Sequence, residues 1–175
     1  MIIHRNASCR EGFGMIVRRG YNAAQIALHW LVAALVIFNY FCSDGMGKAL
    51  RDKLRGTQSA DLRLDPMIHV WVGVAVLALV ALRLILRRTR GVPPAPGSGL
   101  PQRAALWGHR LLYALLVAAP VLGALTWFAG LRQLGDAHEL LANALLVVAG
   151  GHALVALFHH YVLKDALLTR MVRPE

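Results

Sequence analysis

The chain has 175 residues, 57% of them apolar and 16% charged, with a mean hydropathy of +0.52 and a formal net charge of +10. The length suits one domain, and the apolar excess rules out a disordered chain and exceeds what a soluble domain of this size hides, which points to a membrane. The surplus of 19 Lys+Arg over 9 Asp+Glu in so apolar a chain marks loops at a membrane surface and not nucleic-acid binding.

Residues 1–20 are polar, lack the apolar core of a signal peptide and read as a dispensable extension, with Met15 as an alternative start. The domain proper spans residues 21–173 and holds four apolar segments, from Ala23 to Cys42, Met67 to Leu86, Leu106 to Gly130 and His138 to Leu163. Each is long enough to cross a hydrocarbon core of about 30 Å as a helix, and a bilayer excludes open strands. The first is followed by a long loop, Ser43 to Pro66, opened by Ser43, Asp44, Gly45 and Gly47. Pro93, Pro94, Pro96, Gly97, Gly99 and Pro101 separate the second from the third, Pro120 is expected to bend the third, and a short turn from Gly130 to Asp136 precedes the fourth. The expected fold is all-α, an integral-membrane four-helix bundle. No internal repeat is present.

Arg18 and Arg19 precede the first segment, Arg87, Arg88, Arg90 and Arg103 lie between the second and third, and Lys164, Arg170 and Arg173 follow the fourth. All fall on one side with few acids. On the other side Lys48, Arg51, Lys53, Arg55, Arg63 and Arg132 are offset by Asp44, Asp52, Asp61, Asp65, Asp136 and Glu139. The basic side is therefore expected in the cytoplasm, with both termini.

Histidines carry the chemistry, because an ionisable side chain inside a membrane segment is costly and points to function. His138 and His152 are fourteen residues apart in the fourth segment. At about 100° per residue that spacing returns to nearly the same helix face, roughly 21 Å further along. His69 shares the outer depth with His138, and His29 shares the cytoplasmic half with His152. Two His–His pairs at two depths suit two six-coordinate haems, which carry electrons and do not bind oxygen directly. His109 has no spare partner at its depth; it either bonds another helix, touches a haem propionate or substitutes for His29. His159, seven residues after His152, is the rival ligand or part of a quinone pocket with His160. Arg83 and Arg110 either pair with propionates of the inner haem or extend to the interface.

Gly73, Gly123, Gly150 and Gly151 allow a flat porphyrin close to backbone, or simply close helix packing. Trp30, Trp71, Trp107 and Trp127, all near segment ends, read as an interfacial belt. Cys9 and Cys42 make no disulfide framework, and neither a C-x-x-C-H site for covalent haem nor a paired C-x-x-C site for zinc occurs.

The stretches ALHWLVAALV, MIHVWVGV, WGHRLLY, HELLAN and GGHALVALFHHYVLKDALLTRM, taken in order, resemble the bacterial cytochrome b561 family from Tyr21 to Val172. The resemblance implies a four-helix membrane protein with two b haems, His29 with His152 on the inner haem and His69 with His138 on the outer. It also implies the activity of the superoxide oxidase in that family, which takes electrons from superoxide on the periplasmic side and passes them to ubiquinone. On that reading the chain sits in lipid of the bacterial inner membrane, with quinone near His159. The short turn Leu131 to Ala137 and the long outer loop depart from the family and put the outer substrate in question. In that loop, Lys48, Arg51, Lys53, Arg55 and Arg63 could steer superoxide, or its aspartates could cancel their field. Two alternatives remain open: a haem-containing, quinone-coupled membrane subunit for another redox protein, or a His-lined metal or proton transporter. A homodimer is compatible with any of these.

Overall fold

The computed structural model describes residues 21–57, 65–91, 99–165 and 167–174. The expected extension with His4, the prolines at 93, 94 and 96, and Asp61 and Arg63 of the outer loop lie outside the described residues. Helix α1 is Ala23–Phe41, α2 Met46–Arg55, α3 Pro66–Arg90, α4 Leu100–Phe128 and α5 Gly135–Tyr161, with 3-10 turns at Arg132–Leu134 and Thr169–Met171. Helices α1, α3, α4 and α5 are the four long apolar spans.

Local chemistry sets the ends. Asn22 Oδ1 accepts from the Gln25 backbone N–H at 2.9 Å while Gln25 Oε1 accepts from the Asn22 N–H at 3.3 Å, a reciprocal capping box. The same Gln25 donates its Nε2 to the Gly91 carbonyl at 3.1 Å, which fastens the start of α1 to the end of α3. Asp65 caps α3 through the Met67 N–H at 2.8 Å, and Pro66 occupies its first turn, where no intrahelical donor is needed. Pro120 lies inside α4, which continues through it.

Close packing among the described residues runs α1 on α3, α3 on α4 and α4 on α5. Alternation of the spans puts the starts of α1 and α4 and the ends of α3 and α5 at one end, called here the basic end. The opposite end carries α2. The central core, Val32, Val76 and Val80 with Leu35, Val36, Leu116 and Val117 against it, joins α1, α3 and α4. Helix α5 adds no residue to it; its buried side chain is Leu145. The inward line of α5 reads His138, Leu145, His152, a repeat of seven that stays on one face.

Helix α2 replaces part of the expected loop from Ser43 to Pro66. Met46, Ala49 and Leu50 fall at helical spacing, and Gly45 and Gly56, at φ +80° and +70°, end the segment on both sides. Ala49 and Leu50 pack on Val70 and Trp127. Trp127 is therefore no belt residue: it is 9% exposed, whereas Trp30, Trp71 and Trp107 are exposed. Lys53 holds the contact, with its ammonium 4.6 Å above the Trp127 ring and a hydrogen bond to the Trp127 carbonyl, an unpaired acceptor of the last α4 turn.

Trp127→Ala removes the main seat of α2, a truncation that costs about 3–5 kcal/mol in a packed core. Amide exchange over residues 46–55 is expected to accelerate while protection of the four spans is kept. Unchanged exchange in that segment would mean α2 is held by other contacts.

Candidate functional site

The α2 end brings His69 and His138 together, with ring centroids 6.1 Å apart. Each ring is anchored through Nδ1: His69 to the Asn39 carbonyl at 3.0 Å, His138 to the Ala119 carbonyl at 2.8 Å. A carbonyl can only accept, so both Nδ1 atoms carry the proton and both Nε2 lone pairs are free to ligate. His69 and His138 are therefore the residues that would hold a haem iron at this end, each through its free Nε2. Beside the pair, Asn39 Oδ1 is buried without a partner.

Gly123 makes room for the pair. A Cβ there would stand 2.9 Å from His138 Cε1 and 3.0 Å from Nδ1. Among the described residues, the group that approaches this glycine is the His138 imidazole. Gly73 has only the Asn39 amide at 3.7 Å, and nothing lies within 4 Å of a Cβ on Gly150 or Gly151.

The basic end holds a larger group. His152 has His109 as its ring neighbour, with centroids 5.1 Å apart. His109 donates Nδ1–H to the Ala105 carbonyl of its own helix at 2.7 Å, which leaves its Nε2 lone pair free. His29 lies within electrostatic reach of both but is bonded elsewhere, with Arg83 Nη1 donating to His29 Nδ1 at 2.7 Å. That bond puts the His29 proton on Nε2, so ligation through Nε2 requires Arg83 to let go. Of the alternatives open for His109, this arrangement is the one in which it stands in the place expected for His29, beside His152.

Arg83 turns inward instead of reaching for the interface, because α3 returns it to the same face as His69 fourteen residues earlier. Arg110 does the reverse. It follows the inward His109, is exposed, and stacks with its guanidinium 4.9 Å from the exposed Trp107 ring, so it does not join the interior cluster. His159 donates Nδ1–H to Asp165 Oδ2 at 2.5 Å, and Asp165 Oδ1 also accepts from the Leu167 N–H at 3.1 Å. The rings of His160 and Tyr161 meet edge to face, 4.8 Å apart. Trp30 Nε1 donates to the Met171 carbonyl at 2.8 Å, which docks the C-terminal turn on α1.

Sequence reasoning missed Leu145, Arg87 and Tyr113. The repeat of seven through His138 and His152 points at Leu145, and the four-residue steps from Arg83 to Arg87 and from His109 to Tyr113 point at the others.

Among the described residues no group of three or more His, Cys, Asp or Glu is arranged to hold a bare metal ion. Imidazoles offered in pairs leave a lone zinc two ligands short, whereas a haem iron needs only two from the protein.

The family model for prokaryotic cytochrome b561 matches residues 20–174. Cytochrome b562 of Cereibacter sphaeroides is 41% identical, covering 89% of this chain and 96% of that protein. The probable superoxide oxidase CybB of Yersinia pestis is 34% identical over 89% of this chain and 97% of its own. Cytochrome b561 homolog 1 of Escherichia coli is 29% identical over 87% and 96%. The family implies b-type haem, and with the four apolar spans it makes the chain a multi-pass bacterial membrane protein.

Gly123→Ala pushes the His138 ring off its seat and is expected to lower haem bound per protein, read from the absorbance of the purified protein, while Gly73→Ala leaves it unchanged. Equal haem in both variants would mean the His138 position is not needed. At the C-terminal turn, the His159 hydrogen bond holds the Asp165 carboxyl below its ordinary range, aided by the Leu167 N–H and opposed by desolvation. A lowered carboxyl stabilises above its ordinary pKa and stops doing so as pH falls through the lowered value. The Leu167 amide resonance should therefore hold from neutral into mild acid and move only in stronger acid; movement already near neutral pH would contradict the link.

Proposed function

The chain belongs to the prokaryotic cytochrome b561 family, and from that premise we propose that it carries electrons across the bacterial inner membrane on two b haems, oxidising superoxide at the α2 end and reducing ubiquinone at the basic end. The observation that supports this most is the His69–His138 pair, both rings anchored through Nδ1 and both Nε2 atoms free. His69 and His138 would hold one haem, and His152 with His29 the other, with His109 as the rival of His29. When bound, haem supplies one-electron chemistry that no side chain here possesses.

The balance closes without further reactants. Two superoxide anions each give up one electron and leave as dioxygen, and one ubiquinone takes up those electrons with two protons. The surplus of Arg and Lys at the basic end favours a cytoplasmic position for it. At the other end, Lys48, Arg51 and Arg55 form an exposed stripe along α2, the helix whose buried face packs on Val70, next in sequence to His69. Such a stripe attracts an anion and can raise its association rate by about 10- to 1000-fold. At the basic end, Asp165 holds the Nδ1 proton of His159 and leaves Nε2 to exchange protons with the quinone.

A second reading keeps the haems but makes the chain a quinone-coupled subunit for another redox protein. A histidine-lined transporter fits less well, because the rings of the His69–His138 and His109–His152 pairs are held by backbone carbonyls or ring contacts, and the carboxylate that meets a histidine, Asp165, lies at the C-terminal turn.

The purified protein is expected to show a reduced-minus-oxidised b-haem spectrum, to lose one haem in His69→Ala and His138→Ala alike, and to lose the other in His152→Ala. His29→Ala against His109→Ala identifies the fourth ligand. With ubiquinone as the acceptor, superoxide consumption should proceed without other proteins and slow with added salt. Haem without superoxide consumption would favour the subunit reading, and a colourless protein from iron-replete cells would end both.

A further inference from the structure

Arg83 and Arg87 stand one turn apart on α3, with their guanidinium carbons 5.8 and 5.9 Å from the ring centroid of Tyr113 on α4. Among the described residues neither has a carboxylate within ion-pair distance; the ion pair found there is His159–Asp165. Two cations converging on one phenol inside an apolar bundle repel each other, and the cost grows as water is excluded. Tyr21 and Arg170 border the same place: Arg87, Arg83, Tyr113 and Arg170 all act electrostatically on the Tyr21 phenol. The docked C-terminal turn brings Arg170 there, through the Trp30–Met171 bond. Burial pushes the Tyr21 phenol up, so at neutral pH it is a hydrogen-bond donor. The group is a set of donors and cations, two from α3, one from α4, one just before α1 and one from the C-terminal turn; Asp165 lies within electrostatic reach of Arg170, whereas Arg83 and Arg87 have no carboxylate at ion-pair distance among the described residues.

We infer that Arg83, Arg87 and Tyr113, bordered by Tyr21 and Arg170, form a carboxylate clamp that takes the propionate end of the haem held by His152, an inference that rests on the haem reading above. Two features set the ligand class. The clamp lies at the depth of His152 and His29, because Arg83 bonds His29 directly. A planar guanidinium fork matches a carboxylate, and such charge-assisted bonds are roughly twice as strong as neutral ones. A carboxylate therefore outcompetes the neutral His29 ring for Arg83. Once Arg83 has moved to it, His29 can carry its proton on Nδ1 and present the Nε2 lone pair. Arg83 and Arg87 are positioning residues on this account: they fix the cofactor's carboxylates and release a ligand, and they do not touch iron.

The test uses the haem-loaded, full-length protein. Arg87→Gln is expected to lower the midpoint potential of the haem that His152→Ala removes, because an uncompensated carboxylate favours ferric iron, and to leave the potential of the other haem in place. Loading with the dimethyl ester of haem, whose propionates carry no charge, should abolish that difference between variant and parent. An unshifted potential, or the same shift with the ester, overturns the clamp. Release of co-purified anionic phospholipid by Arg87→Gln with both potentials unmoved would assign the cations to a lipid phosphate and overturn it equally. Should Arg87→Gln fail to accumulate that haem, Arg87→Lys is expected to restore it through the charge alone, and no restoration counts against the clamp. A parent protein without any haem removes the haem reading itself, whereas a haem-loaded parent with an indifferent Arg87 removes only the clamp.

Discussion

An imidazole inside an apolar bundle must dispose of its N–H. It cannot leave the proton unpaired without a cost of about 1–3 kcal/mol, and it finds no water to share it with. In this chain the answer is a backbone carbonyl: Asn39 for His69, Ala119 for His138, Ala105 for His109. Each of those bonds fixes a tautomer and aims a lone pair. The rest of the interior follows from it. Gly123 lacks a side chain because the anchored His138 ring lies where one would be. The two ends differ because at one of them His29 is bonded to a cation and not to a carbonyl.

The helices carry these groups in register. Along α5 the inward face runs His138, Leu145, His152; along α3 it runs His69, Val76, Val80, Arg83. Both place a polar group at each depth and an apolar partition between. A seven-residue repeat drifts only about 20° per two turns, so one face can serve both ends of a single membrane span. Helix α5 adds no residue to the central core and carries four of the histidines; what holds it among the described residues is its close packing on α4.

Both ends are closed by short elements outside the four spans. At one, α2 lies on Val70 and Trp127 and is pinned by Lys53, which satisfies an α4 terminal carbonyl and stacks on an aromatic ring at once. At the other, the C-terminal turn is tied to α1 through Trp30 and Met171, and His159–Asp165 braces its approach. Both ends carry cations, exposed along α2 at one and turned toward Tyr113 on α3 at the other.

By itself the sequence determined the four spans, the two depths of histidine, and the shared face of His138 and His152, because those depend on helical rise and rotation along one chain. Helix α2 was also legible, in the spacing of Met46, Ala49 and Leu50, but a ten-residue segment rich in charge reads as a loop when hydropathy is the guide. Only the tertiary structure decided who stands beside whom across helices. It set His109 against His152, turned Arg83 onto His29, left Arg110 outside on Trp107, and buried Trp127 under α2. The reason is rotational: depth along a span is fixed by residue count, whereas the azimuth of each helix relative to its neighbours comes from packing, and one residue of rotation exchanges an inward histidine for an outward arginine.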